Sequence, residues 1–388
     1  QTALIRRDRL PAQVEQMEMN VTVASAGELS PEHVAAWSRI QEAEPTLRSP
    51  FFRPEFTQIV ASVRDDVEVA VFEQAGNPVG FFPFHRDKRN VAKSVGLDLS
   101  DYEGVVIPGD APWTAEQLLQ GCRLKAWRFR HLVVTQKPLL PYHWIVGETS
   151  YLDLSRGFEV FQNVKQRLGQ RTISRVQQKL RKTEREVGPL QLVGQTRDET
   201  VLEQLFQWRM EQYRQCGCMN YLAEEWTCEV LRRVVSAQEG PFAGMMSALY
   251  AGDHLLAVHL GMRNGGLLHG WFPAFNPAFS EYSPGLLLWV RLAQASRELG
   301  LTCIDLGMGT ERYKQNLRSG TLRLAEGAVD ARRARAALFR GWLELRERIR
   351  SSPLRGPVQG IVRSIRRWYL YRQPPWASGT RRYSRFDC

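Results

Sequence analysis

The pattern of hydrophobic and polar positions predicts two successive passes of strands and helices along the chain. Short segments in which apolar and polar residues alternate are typical of half-buried strands, and apolar residues at helical spacing are typical of amphipathic helices. Capping and turn residues mark the ends: Ser30 and Pro31 can begin a helix, and residues 75–78 can close a hairpin. The first pass is predicted to contain strands at 21–24, 67–74, 79–86 and 132–135, strand and loop at 96–107, and helices at 30–41 and 114–128.

The second pass repeats this order over residues 161–306, which favours a duplicated unit. It is predicted to contain strands at 190–194, 244–250, 255–263, 267–272 and 302–306, and helices at 161–187, 199–215, 223–237 and 284–299. We therefore predict an α/β (α+β) chain of two units, each with a mixed central sheet flanked by helices. The predicted boundaries are an N-terminal extension at 1–20, a first unit at 21–150, a second unit at 151–330 and a basic helical tail at 331–388.

The net positive charge of the chain lies in that C-terminal tail. The whole chain has 52 Lys and Arg residues against 41 Asp and Glu residues, a net charge of +11. From Ala331 onward there are 15 arginines and three acidic residues, so the tail alone carries +12. The rest of the chain is therefore almost neutral, and the basic total does not indicate that this part binds nucleic acid.

The tail has apolar residues at helical spacing in two segments that arginines surround: Ala334, Leu338, Trp342, Leu345 and Ile349, then Val358, Ile361, Ile365 and Tyr369. Arginine-rich helices with an apolar, aromatic edge fit the surface of an anionic membrane, and this is the predicted partner of the tail. Docking on the rest of the chain and RNA binding are the alternatives. The first twenty residues lack the apolar core of a secretory signal, so we expect a cytoplasmic protein, peripheral at the inner face of the plasma membrane.

Several enzyme classes lack their motifs in this sequence. It contains no Gly-Lys-Ser/Thr phosphate loop, no Gly-x-Ser-x-Gly elbow, no His-Glu-x-x-His and no set of zinc ligands. The six cysteines form no Cys-x-x-Cys pair, so reduced thiols are expected, with Cys216-Gly217-Cys218 a minor candidate for metal binding. Hydrolase, ATPase and metalloenzyme functions are not supported, and we predict no metal and no permanently bound cofactor.

The start of the helix predicted at 284–299 is the first candidate site. The N–H groups of a first helical turn have no partner within the helix, so they can bind the phosphates of a donor molecule. The predicted binding residues are Ser283, Pro284, Gly285 and Leu286, and the glycine would let a ligand approach closely. A capped core helix without a ligand is the alternative.

Asp305, Tyr313 and Lys314 lie at and beyond the last predicted strand, and we predict catalytic roles for all three. A carboxylate at a strand end can orient an amine or act as its base, and a lysine can hold a phosphate or carbonyl oxygen. The alternative is structural, with Asp305 capping the turn at residues 307–309 and Tyr313 packing beneath it.

Two histidines, His259 and His269, flank a predicted hairpin turn and are candidate bases for an acceptor amine. A two-residue turn would put them on opposite faces of the sheet, whereas a three-residue loop would put them on one face. Either histidine could instead be a hydrogen-bonded residue of the sheet.

The predicted acceptor site contains Asp101 and Tyr102, which could bind a hydroxyl or amine, and Trp271, which suits a sugar platform. A turn and an aromatic core are the respective alternatives. Arg171 and Arg175 begin a basic stripe that could grip a pyrophosphate, a tRNA backbone or an anionic lipid, unless it is simply solvated.

The sequence around several of these residues resembles that of acyltransferases of the GNAT superfamily. More narrowly, it resembles the BioF2-like (CelD-type) branch, which is related to the FemAB peptidoglycan transferases. The likeness covers about residues 21–330, and it rests on Ser283-Pro284-Gly285, on Asp305-Leu306-Gly307 with Gly309, Tyr313 and Lys314, on the basic stretch 171–185 and on Ser100-Asp101-Tyr102.

This resemblance implies tandem GNAT-like units, with catalysis in the second and acyl-CoA as co-substrate. The implied reaction is acyl transfer to an amino sugar or related precursor of bacterial cell-surface polysaccharide. A strand N–H near Trp271 would stabilise the tetrahedral oxyanion, and His259 or Asp305 would take the proton.

One departure from the family pattern leaves the donor open. The Gln/Arg-x-x-Gly-x-Gly/Ala loop of acetyl-CoA enzymes is replaced by Phe-Ser-Glu-Tyr-Ser-Pro-Gly at 279–285. A FemAB-like transferase that uses aminoacyl-tRNA and a lipid-linked wall precursor is therefore an alternative. A non-catalytic, membrane-associated protein with this fold is a third hypothesis.

Overall fold

The computed structural model describes residues 19–216, 219–238, 240–309 and 311–351. The chain divides into two compact units, one that ends at Ala331 and one that begins at Arg332. Gly217 and Cys218, the N-terminal extension up to residue 18 and the second amphipathic segment of the tail lie outside the described residues.

The first half of the larger unit begins with a strand and two helices and continues mainly as strands. Its elements are β1 (Asn20–Ser25), α1 (Pro31–Ala43), α2 (Pro54–Ala61), β2 (Val67–Gln74), β3 (Asn77–Arg86), β4 (Val91–Lys93), α3 (Ala115–Gly121), β5 (Ala126–Val133) and β6 (His143–Asp153). Two further helices, α4 (Phe158–Arg167) and α5 (Thr172–Glu186), connect this half to the next.

The second half repeats the order of a strand, two helices and a strand meander. Its elements are β7 (Leu190–Thr196), α6 (Glu199–Cys216), α7 (Glu225–Ser236), β8 (Phe242–Ala251), β9 (His254–Asn264), β10 (Leu267–Phe275), α8 (Pro284–Gln294), β11 (Cys303–Met308), α9 (Arg312–Leu317) and β12 (Gly320–Asp330). The unit that begins at Arg332 contains the helix α10 (Arg333–Ser351), where a helix was predicted in the tail.

The twelve strands within the described residues form one sheet with the order β1-β2-β3-β4-β5-β12-β6-β11-β10-β9-β8-β7. The two halves have the same internal pairing: three antiparallel pairs followed by one parallel pair, β4 with β5 in the first half and β10 with β11 in the second. The predicted α/β fold of two tandem units is therefore confirmed.

The halves exchange their last strands at the centre of the sheet. The strand β6 of the first half pairs with β11, and the strand β12 of the second half pairs with β5. These two exchanged strands also pair with each other, antiparallel. The predicted division into domains at 150 and 151 stays a prediction, and this boundary falls within β6.

The helices cover both faces of the sheet. On one face α1, α2, α6 and α7 share a single apolar core, which includes Trp37 and Phe56 from the first half and Leu205 and Val230 from the second. On the other face of the second half, α5 and α8 pack with β11 through residues such as Val176, Leu287 and Ile304. The strand β10, which carries two of the candidate residues described below, is therefore covered by helices on both faces.

The helix predicted at 161–187 is wrong as a single element, because the chain breaks between α4 and α5. Gly169 has a φ of +70°, a left-handed conformation that glycine adopts at little cost and that ends a helix. Apolar residues continue at helical spacing on both sides of this break, so their period did not reveal it.

The helix predicted at 114–128 is also too long. It begins as expected, with a capping box between Thr114 and Gln117, but ends at Gly121. Arg123 then has a left-handed φ of +51°, and β5 occupies part of the predicted helix and part of the strand expected at 132–135. The strands β6 and β12 were not predicted at all.

Candidate active site

The two parallel strands β10 and β11 pair only over three residues, and the candidate site begins where this pairing stops. The last pair is His269 with Asp305. Directly beyond it, a β-bulge interrupts the pairing of β10 with β9 between Gly270 and Phe272, and Trp271 has no partner residue on β9. A bulge re-aims the backbone and leaves one residue outside the ladder, so the two strand ends diverge at this point.

A histidine lies between two carboxylates at this point. The His269 ring contacts the Asp305 carboxylate through Nδ1 at 3.1 Å and the Asp101 carboxylate through Nε2 at 2.9 Å. The side chains of His269 and Asp305 are buried, whereas that of Asp101 is 28% exposed. The three residues form a chain that runs from the interior towards solvent, and we call it the Asp–His–Asp cluster.

The buried end of the cluster is held by three donors to Asp305. The Tyr102 hydroxyl donates to Oδ2 at 2.5 Å, the Thr149 hydroxyl donates to Oδ1 at 2.9 Å, and the backbone N–H of Gly307 donates to Oδ1 at 2.8 Å. Because hydrogen bonds to the ionised form stabilise it, this carboxylate is fixed in position and in charge. Tyr102 and Thr149 come from the first half, so the cluster needs both halves.

Each charged group in the cluster stabilises the ionised form of its neighbour. Burial alone would lower the pKa of His269, but the Asp305 and Asp101 carboxylates raise it to about 9. Burial alone would raise the pKa of Asp305, but the His269 imidazolium, the Tyr102 hydroxyl and the Gly307 N–H hold it below its usual range. The pKa of Asp101 is lowered in the same way, against the effect of its own burial, by its hydrogen bond with His269. At neutral pH the cluster is thus an imidazolium between two carboxylates.

The other candidate histidine lies on the opposite face of the sheet. Asn264 pairs with Leu267, so the hairpin has a two-residue turn, which is the alternative that separates the two histidines. The His259 ring is fully buried against Trp289, at 4.7 Å between ring centroids, and neither ring nitrogen has a hydrogen-bond partner among the described residues. Burial and the nearby charge of His269 lower the pKa of His259 to about 3, so it is neutral.

The N-terminus of α8 has a cation beside it. Ser283 has a left-handed φ of +58° and does not cap the helix with its side chain. Its hydroxyl instead accepts a hydrogen bond from Lys179 of α5 at 2.6 Å, and the same ammonium donates to the Glu281 carbonyl at 3.1 Å. Pro284, Gly285 and Leu286 form the first turn as predicted.

The basic stripe predicted on the long helix lies on α5 and on the residue before it. Arg171 and Arg175 are exposed, and Lys182 forms an ion pair with Glu281 at 3.1 Å. Since α5 packs against α8, the lysines of this stripe lie beside the α8 N-terminus. This arrangement brings positive charge to the end of a helix that already favours anions.

Tyr313 and Lys314 lie on the short helix α9, just beyond β11. The Lys314 ammonium donates to the Met308 carbonyl at 2.6 Å and is 3.3 Å from the Glu311 carboxylate, which ties α9 to the end of the strand. Tyr313 is hydrogen-bonded to Trp289, and burial raises the pKa of its phenol well above its usual range. The phenol is therefore protonated at every physiological pH.

Trp271 is mainly enclosed by aromatic neighbours. It is 8% exposed, contacts Phe51 and Phe56 edge to face, and donates from its indole N–H to the Leu99 carbonyl at 2.8 Å. This bond ties β10 to the loop that carries Asp101. Trp271 thus positions the loop, and its sugar contact remains a prediction.

Thr149 is a residue of the site that the sequence reasoning missed. It lies on β6, which was not predicted, although apolar and polar residues alternate weakly through this strand. Its partner Asp305 is distant in the sequence, so no local motif links the two. Among the described residues, no group of three or more His, Cys, Asp or Glu side chains could hold a metal ion.

The match to a protein-family model includes residues of this site. The family model described as the acetyltransferase (GNAT) domain matches residues 170–315. Residues 170–315 are a GNAT domain. The GNAT domain contains His269, Asp305 and the α8 N-terminus, and the match confirms the predicted class of enzyme, an acyltransferase.

The solved structures that the chain resembles are distant. The C-terminal domain of a protein provisionally named a lysylphosphatidylglycerol synthetase, from Agrobacterium fabrum, is 15% identical with a TM-score of 0.49, over 79% of this chain and 94% of that one. FemX is 11% identical with a TM-score of 0.46, over 67% and 86% of the two chains. A tandem GNAT protein from the clavulanic acid biosynthesis pathway is 13% identical with a TM-score of 0.46, over 81% and 99%.

At identities and TM-scores this low, no assignment rests on these structures. The search of curated proteins returned no match. The tandem arrangement stated above follows instead from the repeated strand pairing of the two halves.

Proposed function

We propose that this protein transfers an acyl group from acyl-CoA to the amine of an amino sugar or related precursor. The observation that carries the proposal is the Asp–His–Asp cluster at the point in the GNAT domain where β10 and β11 separate. Perturbed titratable groups that converge at a strand opening favour acid–base chemistry over a purely structural network.

The exposed end of the cluster is suited to the acceptor amine. The Oδ1 atom of Asp101 has no hydrogen-bond partner among the described residues, while Oδ2 is held by His269. A carboxylate with a lowered pKa is a weak base for a free ammonium group. The nitrogen becomes strongly acidic once it has attacked a carbonyl, however, and Asp101 can then accept its proton.

The proposed step conserves atoms and charge. The amine nitrogen attacks the thioester carbonyl, the carbon–sulfur bond breaks, and an amide and coenzyme A result. Asp101 takes the proton that nitrogen loses and passes it to solvent, and the departing thiolate gains a proton from solvent. The Tyr313 phenol, which its raised pKa keeps protonated, would donate a hydrogen bond to the departing sulfur without giving up its proton. His269 and Asp305 are positioning residues that keep Asp101 oriented and ionised.

The oxyanion of the tetrahedral intermediate would be stabilised by a backbone N–H at the bulge. Trp271 has no partner residue on β9, so a strand N–H at this position is not fixed by the antiparallel pairing. Preorganised N–H donors at a developing oxyanion typically contribute a factor of about 10² to 10³ in rate.

The donor would bind at the N-terminus of α8. The backbone N–H of Gly285 and the ammonium of Lys179 would contact its phosphates, and Gly285 would allow close approach. The chain would hold no permanent cofactor, since acyl-CoA enters and coenzyme A leaves in each cycle. Lys314 would act by holding α9 in place.

The acceptor class rests on the resemblance of the sequence to the BioF2-like branch. That likeness favours a role in bacterial cell-surface polysaccharide synthesis. We further propose a cytoplasmic location, with the arginine-rich tail at an anionic membrane surface. No helix within the described residues is long and apolar enough to cross a membrane.

An aminoacyl-tRNA donor is the second candidate function, and the exposed basic residues beside α8 favour it. Arg171 and Arg175 extend the positive charge of Lys179 over about two turns of α5, a longer surface than a pyrophosphate needs. In this case the acceptor would be a lipid-linked cell-wall precursor.

Calorimetric titration separates the two donors. We expect acetyl-CoA or a longer acyl-CoA to bind with a dissociation constant in the micromolar range. Between 50 and 200 mM salt, this dissociation constant should change much less than that of a polyanion such as tRNA. Binding of tRNA that weakens steeply with salt, without binding of any thioester, would support the second candidate and overturn the first. If neither donor binds, both enzyme proposals fail.

A further inference from the structure

A cavity lies on the opposite face of the sheet from the buried end of the cluster. It has a volume of about 690 Å³ and lies between α4, β6, and the segment that joins α9 to β12. Glu148 of β6 lines this cavity, whereas its neighbour Thr149 contacts Asp305. Because successive side chains of a strand point to opposite faces, the cavity and the cluster lie on different sides of the sheet.

The wall of this cavity contains a buried lysine without a counter-ion. Lys165 of α4 is 3% exposed, and its ammonium donates to the Arg318 carbonyl. No carboxylate lies within ion-pair distance of it among the described residues. A buried ammonium needs compensation, and burial together with the charge of Arg318 lowers the pKa of Lys165 to about 8.

Other polar groups around Lys165 are also incompletely satisfied. The side-chain oxygen of Gln170, which lines the same cavity, is buried and has no hydrogen-bond partner among the described residues. Within the part of the chain that the structure describes, the Arg318 guanidinium forms one ion contact, a long one with Glu148 at 3.8 Å, and Arg156 lies at the start of α4. Buried polar groups without partners are uncommon in native proteins, so the Gln170 oxygen beside a buried lysine without a counter-ion points to a missing ligand.

One wall of the cavity is apolar and reaches the surface. Val160, Val164 and Leu168 lie along α4, and Val164 and Leu168 are 48% and 66% exposed. Gly157 stands at the N-cap of α4 without a side-chain cap, so the first-turn N–H groups of this ten-residue helix are available. The cavity thus offers three cations and a helix N-terminus next to an apolar surface.

We propose that this cavity binds a phosphate ester with an apolar substituent, its phosphate beside Lys165 and Arg318 and its apolar part along Val164 and Leu168. Two acidic residues, Glu148 and Asp153, also line the cavity, against three basic ones. A phosphate dianion would reverse that balance and compensate the buried ammonium. Such a ligand could come from a membrane lipid or from a soluble phosphate ester. The inference goes beyond the acyl transfer proposed above and does not depend on it.

Calorimetric titration of the whole protein with octyl phosphate, below its micelle concentration, tests the proposal. We expect saturable binding, at least tenfold weaker binding of inorganic phosphate, and at least a tenfold loss of affinity in Lys165→Met. Lys137→Met, which removes an exposed lysine elsewhere, should bind like the wild type. Absence of saturable binding, or equal affinity in Lys165→Met, would overturn the proposal.

Thermal unfolding tests the proposal separately, in case Lys165→Met loses affinity only because its fold is damaged. Without ligand, Lys165→Met should unfold at a higher temperature than the wild type, because it removes an uncompensated charge, and octyl phosphate should stabilise only the wild type. A large destabilisation in Lys165→Met would show a purely structural lysine and contradict the inference. Should that variant fail to fold, Lys165→Arg, which keeps the charge, must retain octyl phosphate binding. Binding of dihexanoyl phosphatidate but not of glucose 6-phosphate would support a lipid source, and the reverse a soluble one.

Discussion

At the scale of single residues, the distinctive feature is a fully buried imidazolium between two carboxylates of unequal exposure. Asp305 is held by three donors at the buried end, and Asp101 is the one member that reaches solvent. This asymmetry assigns different tasks to two residues of the same type. The buried carboxylate orients the histidine, and the exposed one is available to a substrate.

Replacing Asp101 by Asn should therefore lower kcat for acyl transfer about 10² to 10⁴-fold, the usual contribution of a positioned base. KM for the donor should change little, because the α8 N-terminus is unaltered. Steady-state kinetics at saturating acceptor measures both constants. Asp110→Asn, at an exposed aspartate of the same half, is the matched control. A kcat for Asp101→Asn equal to that of the control would refute the role of Asp101.

The raised pKa of His269 predicts a pH dependence of stability. The folded pKa of about 9 exceeds the ordinary value of 6.5, so the stabilisation is complete below pH 6.5 and is lost as the pH rises through 9. A difference of this size corresponds to roughly 3 kcal/mol at most.

Chemical denaturation between pH 6 and 10 can measure this effect. The free energy of unfolding of the wild type should fall relative to that of His269→Gln across the window from pH 6.5 to 9. Parallel curves for the two proteins across this window would show that the histidine is neutral in the folded state.

At the scale of elements, most single strands and helices follow from the sequence because their signals are local. The hairpin β2–β3, the helix α1 behind Ser30 and Pro31, and the start of α8 were predicted close to their observed ends. Alternation, capping residues and turn residues all act within a few positions, so one segment is enough to read them.

The remaining elements depend on distant partners. The strands β6 and β12 pair with each other and with strands of the opposite half, and this pairing gives no local pattern. In the site, Asp305, His269 and Asp101 could be proposed individually from their residue types. Their contact could not, because Asp101 and His269 are brought together only by the packing of the two halves.

Gly285 provides a test of the donor site at this scale. A Cβ atom at this position would meet only Phe275, at 3.9 Å, which is an ordinary contact, so Gly285→Ala should fold normally. It should raise KM for the acyl-CoA donor severalfold, because the methyl group obstructs close approach to the backbone N–H of residue 285.

The matched control for this substitution is Gly341→Ala on the exposed surface of α10, where a Cβ atom meets nothing. Donor KM in steady-state kinetics, with thermal unfolding as a check on folding, is the measurement. An unchanged KM in Gly285→Ala would mean that the donor does not bind at this helix end.

At the scale of the whole molecule, the exchanged strands make the two halves of the larger unit one folding unit. Each half contributes its last strand to the partner half, and the apolar core under α1, α2, α6 and α7 is shared. An unpaired strand edge and an exposed core face would remain if either half were alone.

Fragments 19–150 and 151–331 expressed separately should therefore fail to form stable structure, whereas the intact chain should unfold in one cooperative step. Circular dichroism during thermal unfolding, on each fragment and on the intact protein, measures this. A cooperative transition in an isolated fragment would contradict the shared core.

The central claim is that a GNAT domain, completed by Asp101 from the first half, transfers an acyl group from coenzyme A to an amine. Mass spectrometry of a reaction with ¹³C-labelled acetyl-CoA and glucosamine, the simplest amino-sugar probe, tests it most directly, with longer acyl-CoA thioesters and other amino sugars as further arms. We predict a labelled amide formed in equal amount to the coenzyme A released, with the rate of formation of both products lowered about 10² to 10⁴-fold in Asp101→Asn. Release of coenzyme A without any amide, or no turnover of any thioester by the wild type, would contradict the account.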